Sequence, residues 1–72
     1  GSTVEEAIGV ITGFLDMAVA RGSGRVEIIH GVGTGRLARG IEEYLRHNNS
    51  VKRFYRAEPA KGGAGVTVVE LE

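Results

Sequence analysis

A chain of 72 residues and 7.6 kDa has room for a single hydrophobic core. It contains no cysteine, which excludes disulfide bonds and thiolate metal sites and makes a cytoplasmic protein the expectation. Nine basic residues balance nine acidic ones, so the chain as a whole is not a strongly basic nucleic-acid binder. It also lacks an apolar run of the ~20 residues that cross a bilayer, and no membrane partner is expected.

The first predicted element is a helix that begins after Thr3. Thr3 and Glu6 have the spacing of a capping box. Apolar residues then recur at intervals of three and four, which is typical of one buried helical face, and we expect Phe14 to belong to the core. Gly9 and Gly13 weaken a helix interior, and close packing on a sheet is the expected reason for them. Gly1 and Ser2, ahead of this helix, are interpreted as a cloning scar.

Further elements follow in the order strand, helix, strand, strand. The strands are predicted at 25–29, 51–57 and 66–71, the second helix between 37 and 45, and a loop at 58–65. This α-β-α-β-β order predicts an α+β two-layer sandwich with two helices on a mixed sheet. A helix-first order is most economically part of a β-α-β-α unit. We therefore expect a strand to precede Thr3 in a longer chain.

The loop between the first strand and the second helix, HGVGTG at 30–35, carries three alternating glycines. A strand that leads through such a loop into a helix N-terminus exposes backbone amides at the positive end of the helix dipole, where anions bind. Thr34 would add a hydroxyl donor, and Arg36 a guanidinium for two phosphate oxygens. His30, at the end of the strand, is placed to donate to a phosphate or to transfer a proton.

Known glycine motifs do not account for this loop. Its spacing does not fit the dinucleotide fingerprint G-x-G-x-x-G, and Gly35-Arg36-Leu37 does not match the Gly-Lys-Ser/Thr of a P-loop. No histidine and glutamate have the spacing of the zinc motif H-E-x-x-H. Two alternatives without a ligand stay open: a His30 that only bonds a loop carbonyl, and glycines that only form a tight turn.

Basic residues are concentrated between positions 30 and 61, with an excess of four positive charges. They are Arg36, Arg39, Arg46, Lys52, Arg53, Arg56 and Lys61. A nucleic-acid backbone is the partner that such an excess favours, although a solvated surface has the same pattern. Tyr55 is the one candidate for stacking on a base.

Three stretches together resemble the Smr domain, the small MutS-related domain. They are VEIIHGVGTG at 26–35, SVKRFYRAEP at 50–59 and GGAGVTVVEL at 62–71. The resemblance covers residues 3–72 and implies a fold similar to the C-terminal domain of a bacterial translation initiation factor. It also implies an endonuclease that nicks DNA, with RNA as the alternative substrate, without strong sequence preference and as part of a larger MutS-like protein. The opening Val-Glu-Glu-Ala and the last strand favour the branch of the second bacterial MutS paralogue, and with it DNA.

The loop geometry and the resemblance together define the predicted site. His30 is the candidate catalytic residue, and the nucleic-acid-binding candidates are Gly31, Gly33, Thr34, Gly35, Arg36, Arg39, Lys61, Gly62 and Gly63. The resemblance also implies a first motif, a Leu-Asp-Leu-His or Leu-Asp-Leu-Arg strand with a candidate catalytic aspartate, which is absent here; the single aspartate, Asp16, lies in the first helix. Residues 3–72 are thus interpreted as an Smr domain that lacks its first strand and has weak activity or none.

Magnesium or manganese is the expected cofactor, although the chain shows no identifiable ligand set. Three functions stay open. The first is an endonuclease for DNA, for example branched DNA in recombination or repair. The second is a DNA- or RNA-binding module without chemistry, acting for instance on ribosome-associated RNA, and the third is a protein-docking domain. The isolated domain is expected to be a monomer.

Overall fold

The computed structural model describes residues 3–32 and 35–72, so the interpretation of Gly1 and Ser2 lies outside it. The elements are α1 (Val4–Ala20), β1 (Arg25–Ile29), α2 (Arg36–Arg46), β2 (Val51–Arg56) and β3 (Val66–Leu71). Two 3₁₀ turns, Pro59–Lys61 and Gly63–Gly65, form the loop between β2 and β3. Two helices on a three-stranded sheet confirm the predicted α+β fold.

The start of α1 follows the predicted capping box. The Glu6 amide donates to Thr3 Oγ1 at 3.1 Å, and the Thr3 amide donates to Glu6 Oε1 at 3.1 Å. These bonds satisfy helix-terminal amides that have no partner inside the helix. α1 buries Ile11, Leu15 and Ala18 on its inner face.

Two expectations about α1 are wrong. Phe14 is 46 % exposed, because the apolar stripe of the helix is wider than the face that packs on the sheet. Gly9 and Gly13 are exposed, and a Cβ atom at either position would meet nothing within 4 Å. Close packing is therefore not the reason for these glycines, and nothing in the structure explains them.

The sheet has the strand order β1-β3-β2, and both pairings are antiparallel. The described strands therefore do not form the predicted mixed sheet, because a parallel partner would have to come from the strand expected before Thr3. β3 is the central strand, so it is covered by neighbours along both edges, and Thr67 and Val69 are fully buried. Ile28 of β1 lies opposite Thr67, and Phe54 of β2 lies opposite Val69.

The core lies between the helices and one face of the sheet. Its buried residues are Ile11, Leu15, Ala18, Ile28, Ile41, Leu45, Val69 and Leu71. The helices approach each other closely where the side chain of Val4 covers the position that a Cβ atom at Gly40 would take. Within residues 3–32 and 35–72, no helix is long and apolar enough to span a membrane.

Candidate functional site

Two glycine-containing loops meet at the end of β1. The amides of His30 and Gly31 both donate to the carbonyl oxygen of Gly65, each at 3.0 Å. A Cβ atom at Gly65 would lie 3.4 Å from the Gly31 Cα, so the backbones touch with little space for a side chain. The loop at 58–65, called the later loop below, therefore lies beside the loop at 30–35.

The backbone conformation accounts for two of the glycines. Gly31 has φ +77° and Gly35 has φ +84°, in the left-handed region that favours glycine. Their amides are used within the protein, since that of Gly31 reaches Gly65 and that of Gly35 donates to the Val32 carbonyl at 3.0 Å. The expectation that these two amides face a ligand is therefore wrong. Gly33 and Thr34 lie outside the described residues.

The start of α2 keeps the geometry of an anion site. Its N-cap residue is Gly35, which has no side chain to cap the helix, and its first turn contains no acidic residue. Amides in the first turn of a helix, here including those of Leu37 and Ala38, have no carbonyl partner inside the helix and lie at the positive end of its dipole. Arg36 and Arg39 are exposed in the same part of α2. This end of the helix combines amide donors with two cations.

His30 is held by both ring nitrogens. Nδ1 lies 2.8 Å from the Gly31 carbonyl oxygen, and Nε2 lies 2.7 Å from Thr67 Oγ1. The structure thus realises one of the alternatives left open by the sequence, a histidine that bonds a loop carbonyl. The catalytic role of His30 stays a prediction.

Most of the basic residues on β2 and at the end of α2 are paired with carboxylates. Arg53 Nε donates to Glu70 Oε1 at 2.6 Å, and Arg56 Nε donates to Glu42 Oε2 at 2.6 Å. Arg46 forms an ion pair with the carboxylate of Glu43. Glu42 and Glu43 are already counted in the positive excess of the sequence, so only the pairing of Arg53 with Glu70 reduces that excess.

Glu70 lies at the centre of a polar cluster on the sheet face opposite the helices. Hydrogen bonds from Arg53 and from the Tyr55 hydroxyl, which is 2.9 Å from Oε2, lower the pKa of the Glu70 carboxyl. The same contact raises the pKa of Tyr55, and Glu70 raises that of Arg53. The hydroxyl of the stacking candidate Tyr55 is thus engaged by Glu70, on the face of the sheet away from His30.

Lys61 also lies apart from His30. It lines a polar cavity of about 200 Å³ together with Arg25 and Tyr55 on the outer face of the sheet. His30 instead lines an apolar groove of about 270 Å³ between α1 and β1, with Phe14 as a neighbour. The structure brings the α2 start, His30 and the later loop together, but it places the Lys61 side chain at a different surface.

Gly62 and Gly63 shape the later loop through their backbone. Their φ angles are +111° and +55°, and a Cβ atom at Gly62 would collide with the side chain of Val66. Both positions therefore need glycine for conformation, and their role in nucleic-acid binding stays a prediction. Among the described residues, no three histidine or acidic side chains lie close enough together to hold a metal ion. The expected magnesium or manganese therefore stays a prediction, and we derive no step through a metal.

Sequence reasoning missed two residues of this site. Gly65 accepts the two loop amides, and Thr67 contacts the histidine. A signal was present in each case, since Gly65 is the third glycine of a glycine-rich loop and Thr67 is a hydroxyl residue inside an apolar strand. Their partners lie more than thirty positions earlier in the sequence, so only the pairing of β1 with β3 identifies them.

Comparison with known proteins places this geometry in a family. The model of the Smr domain family matches residues 1–72. The chain is 46 % identical over 72 residues to a protein named endonuclease MutS2 from Geobacillus sp. (strain WCH70), covering 100 % of the chain and 9 % of that protein. It is 50 % identical over 72 residues to endonuclease MutS2 of Thermotoga neapolitana, covering 100 % of the chain and 10 % of the relative.

Two crystal structures have the same fold. The Smr domain of Thermus thermophilus MutS2 superposes with a TM-score of 0.97 at 43 % identity, over 100 % of this chain and 90 % of that one. A stand-alone small MutS-related protein from Escherichia coli superposes with a TM-score of 0.87 at 30 % identity, over 99 % of this chain and 59 % of that one. The chain spans about a tenth of the length of the curated relatives it matches.

Proposed function

Because the chain belongs to the Smr domain family, we propose that it binds the sugar-phosphate backbone of DNA and forms part of a nicking endonuclease within a larger MutS2-like protein. The observation that carries the proposal is the α2 start, where first-turn amides that the N-cap residue Gly35 cannot cap meet the loop of His30 beside two exposed arginines. Relatives named endonuclease support hydrolysis of the backbone as the reaction. DNA is preferred over RNA because of the MutS2 relatives.

A phosphate at the α2 start would be stabilised by amides and a guanidinium together. The amides of Leu37 and Ala38 supply donors at the positive end of the helix, and Arg36 supplies charge. Hydrolysis of a phosphodiester builds negative charge on the phosphate oxygens, and donors fixed in advance stabilise that charge. Contacts of this kind read the backbone and not the bases, so we expect binding that tolerates any sequence.

His30 is the proposed group for proton transfer. Its ring stands beside the α2 start, but each nitrogen already has a partner, at 2.8 Å and 2.7 Å. The ring must therefore give up its contact with the Gly31 carbonyl or with Thr67 before it exchanges a proton with substrate. Proton transfer by a positioned histidine typically contributes about 10²–10⁴-fold to rate.

The carboxylate that this chemistry requires is proposed to lie in a strand before Thr3. β1 is an edge strand of the described sheet, and the apolar groove between β1 and α1 is open beside it. Residues 21–24 connect α1 to β1, so the two elements run in opposite directions and α1 begins near His30. A strand that leads into α1 would run parallel to β1 and end beside His30.

A plasmid-nicking assay tests this proposal. The 72-residue chain is compared with a version extended by the upstream strand of its parent protein, each as wild type and as His30→Ala, on supercoiled DNA and on RNA, with magnesium or a chelator. We expect the extended wild type to nick DNA and the other three proteins to be at least tenfold slower. Equal nicking with and without the upstream strand would show that this strand supplies no required carboxylate. If neither wild-type protein binds DNA at low salt, the proposed function is refuted.

A nucleic-acid-binding module without chemistry is the second candidate. Both ring nitrogens of His30 are occupied within the protein, which favours a structural role for this residue. Titration with a short DNA or RNA separates this candidate from a protein-docking domain. Amide shift changes confined to residues 30–36 without nicking by the extended protein would indicate a binding module, whereas unchanged shifts at low salt would indicate docking.

A further inference from the structure

Thr67 is a buried polar residue at the centre of the sheet. Its exposure is 0 %, and among the described residues Thr67 is the single buried residue with a polar side chain. Its neighbours across the strands are Ile28 on β1 and Arg56 on β2. A buried hydroxyl needs a partner, since burial removes its contact with water. That partner is Nε2 of His30, at 2.7 Å.

The chemistry of the two contacts decides which nitrogen of neutral His30 carries the proton. The Gly31 carbonyl oxygen only accepts hydrogen bonds, so Nδ1, at 2.8 Å from it, must be the nitrogen that donates. Nε2 then has a free electron pair, and the Thr67 hydroxyl donates to it. The hydrogen bond at one ring nitrogen thus sets the state of the other.

The same contacts connect the core to the loop. The Thr67 hydroxyl holds the ring, and the ring holds the Gly31 carbonyl, whose residue has the left-handed φ of +77°. The Gly31 amide is held separately by the Gly65 carbonyl at 3.0 Å. Both ends of the Gly31 residue are therefore tied to β3 or to the loop before it, next to the start of α2.

We propose that Thr67 is a positioning residue: its hydroxyl holds the His30 ring where Nδ1–H bonds the Gly31 carbonyl, and this bond keeps neutral His30 in the Nδ1–H tautomer and the loop in the geometry that binds DNA. Without the hydroxyl the ring is free to leave the carbonyl that fixes this tautomer. The claim about the His30 tautomer follows from the structure alone. The DNA-binding part rests on the proposed function.

The test uses the 72-residue chain with Thr67→Val, which keeps the shape and removes the hydroxyl, and Thr67→Ser, which keeps the hydroxyl. Ring ¹⁵N shifts of His30, recorded at a pH where the ring is neutral, identify the tautomer. We expect the Nδ1–H form in wild type and Thr67→Ser, and a shift of the population toward the Nε2–H form in Thr67→Val. Affinity for a short DNA duplex at low salt should fall on the order of threefold to tenfold in Thr67→Val and stay within twofold in Thr67→Ser.

If Thr67→Val does not fold, Thr67→Cys replaces it, because the thiol is a weaker donor of similar size. We expect its tautomer population to lie between those expected for wild type and for Thr67→Val. An unchanged Nδ1–H tautomer in a folded Thr67→Val or Thr67→Cys would overturn the proposal. A tautomer shift in a protein whose wild type does not bind DNA would support the positioning of His30 and overturn the proposed function. A tautomer shift with unchanged DNA affinity would overturn the part that concerns the loop.

Discussion

The carbonyl oxygen of Gly65 accepts the amide of Gly31 at 3.0 Å, and no more than 3.4 Å separates the Gly31 Cα from the place where a Gly65 side chain would begin. The methyl group of Gly65→Ala would lie against the Gly31 backbone at the limit of ordinary van der Waals contact. We expect DNA affinity to fall on the order of threefold or more, with a loss of about 1 kcal/mol in the free energy of unfolding.

Gly24→Ala is the matched control for Gly65→Ala, because a Cβ atom at Gly24 meets nothing within 4 Å and no left-handed φ is required there. Binding to a labelled duplex and urea unfolding measure the two effects. Equal DNA affinity of Gly65→Ala and wild type would show that the contact between the loops does not shape the binding surface.

Arg39 and Arg46 lie on the same helix but differ in their surroundings. Arg39 is exposed near the start of α2, whereas Arg46 is paired with Glu43 in the last turn. Each phosphate that a protein cation neutralises contributes about 0.9 to the slope of log affinity against log salt. Arg39→Gln should therefore reduce the slope by about 0.9, and Arg46→Gln should leave it unchanged. A slope that is reduced by Arg46→Gln and unchanged by Arg39→Gln would show that DNA binds at the other end of α2.

The Glu70 cluster predicts an acid dependence of stability. Hydrogen bonds from Arg53 and Tyr55 hold the pKa of Glu70 below its usual 4.5 in the folded protein. The unfolded chain binds a proton first as pH falls, so the stabilisation is complete above pH 4.5 and is lost as pH falls through the lower folded value. Urea unfolding should show Glu70→Gln less stable than wild type near neutral pH.

The same cluster supplies the control for Glu70→Gln. Tyr55→Phe keeps the contact between Arg53 and Glu70, which is the larger cause of the lowered pKa, and should keep most of the acid dependence. The stability difference between Glu70→Gln and wild type should shrink at strongly acidic pH. A difference that stays constant from neutral to strongly acidic pH would show that the charge of Glu70 does not stabilise the fold.

Gly40 sets the distance between the two helices. A Cβ atom there would collide with a methyl group of Val4, and a valine in a helix has little freedom to turn away. Gly40→Ala should cost about 1–3 kcal/mol in the free energy of unfolding. The double variant Gly40→Ala with Val4→Ala should recover most of that loss, as measured by urea unfolding. If the losses of the two single variants add in the double variant, the destabilisation by Gly40→Ala arises within α2 and not from its contact with Val4.

The sequence by itself determined the elements and their ends. The capping box at Thr3, the alternating strands and the breaker residues act through contacts within a few positions, so these patterns predict local structure. The position of the glycine loop ahead of α2 and the family membership were also accessible, because the motif residues are contiguous in the chain.

Only the tertiary structure decided which of those residues share a surface and which side-chain donors are used in hydrogen bonds within the protein. The bond between His30 and Thr67 spans 37 positions, and the pairing of Arg53 with Glu70 spans 17. Phe14 has the helical spacing of a core residue, yet it lies exposed beside the groove. Periodicity reports one face of one element, whereas burial and pairing depend on where other elements pack, which long-range strand register sets.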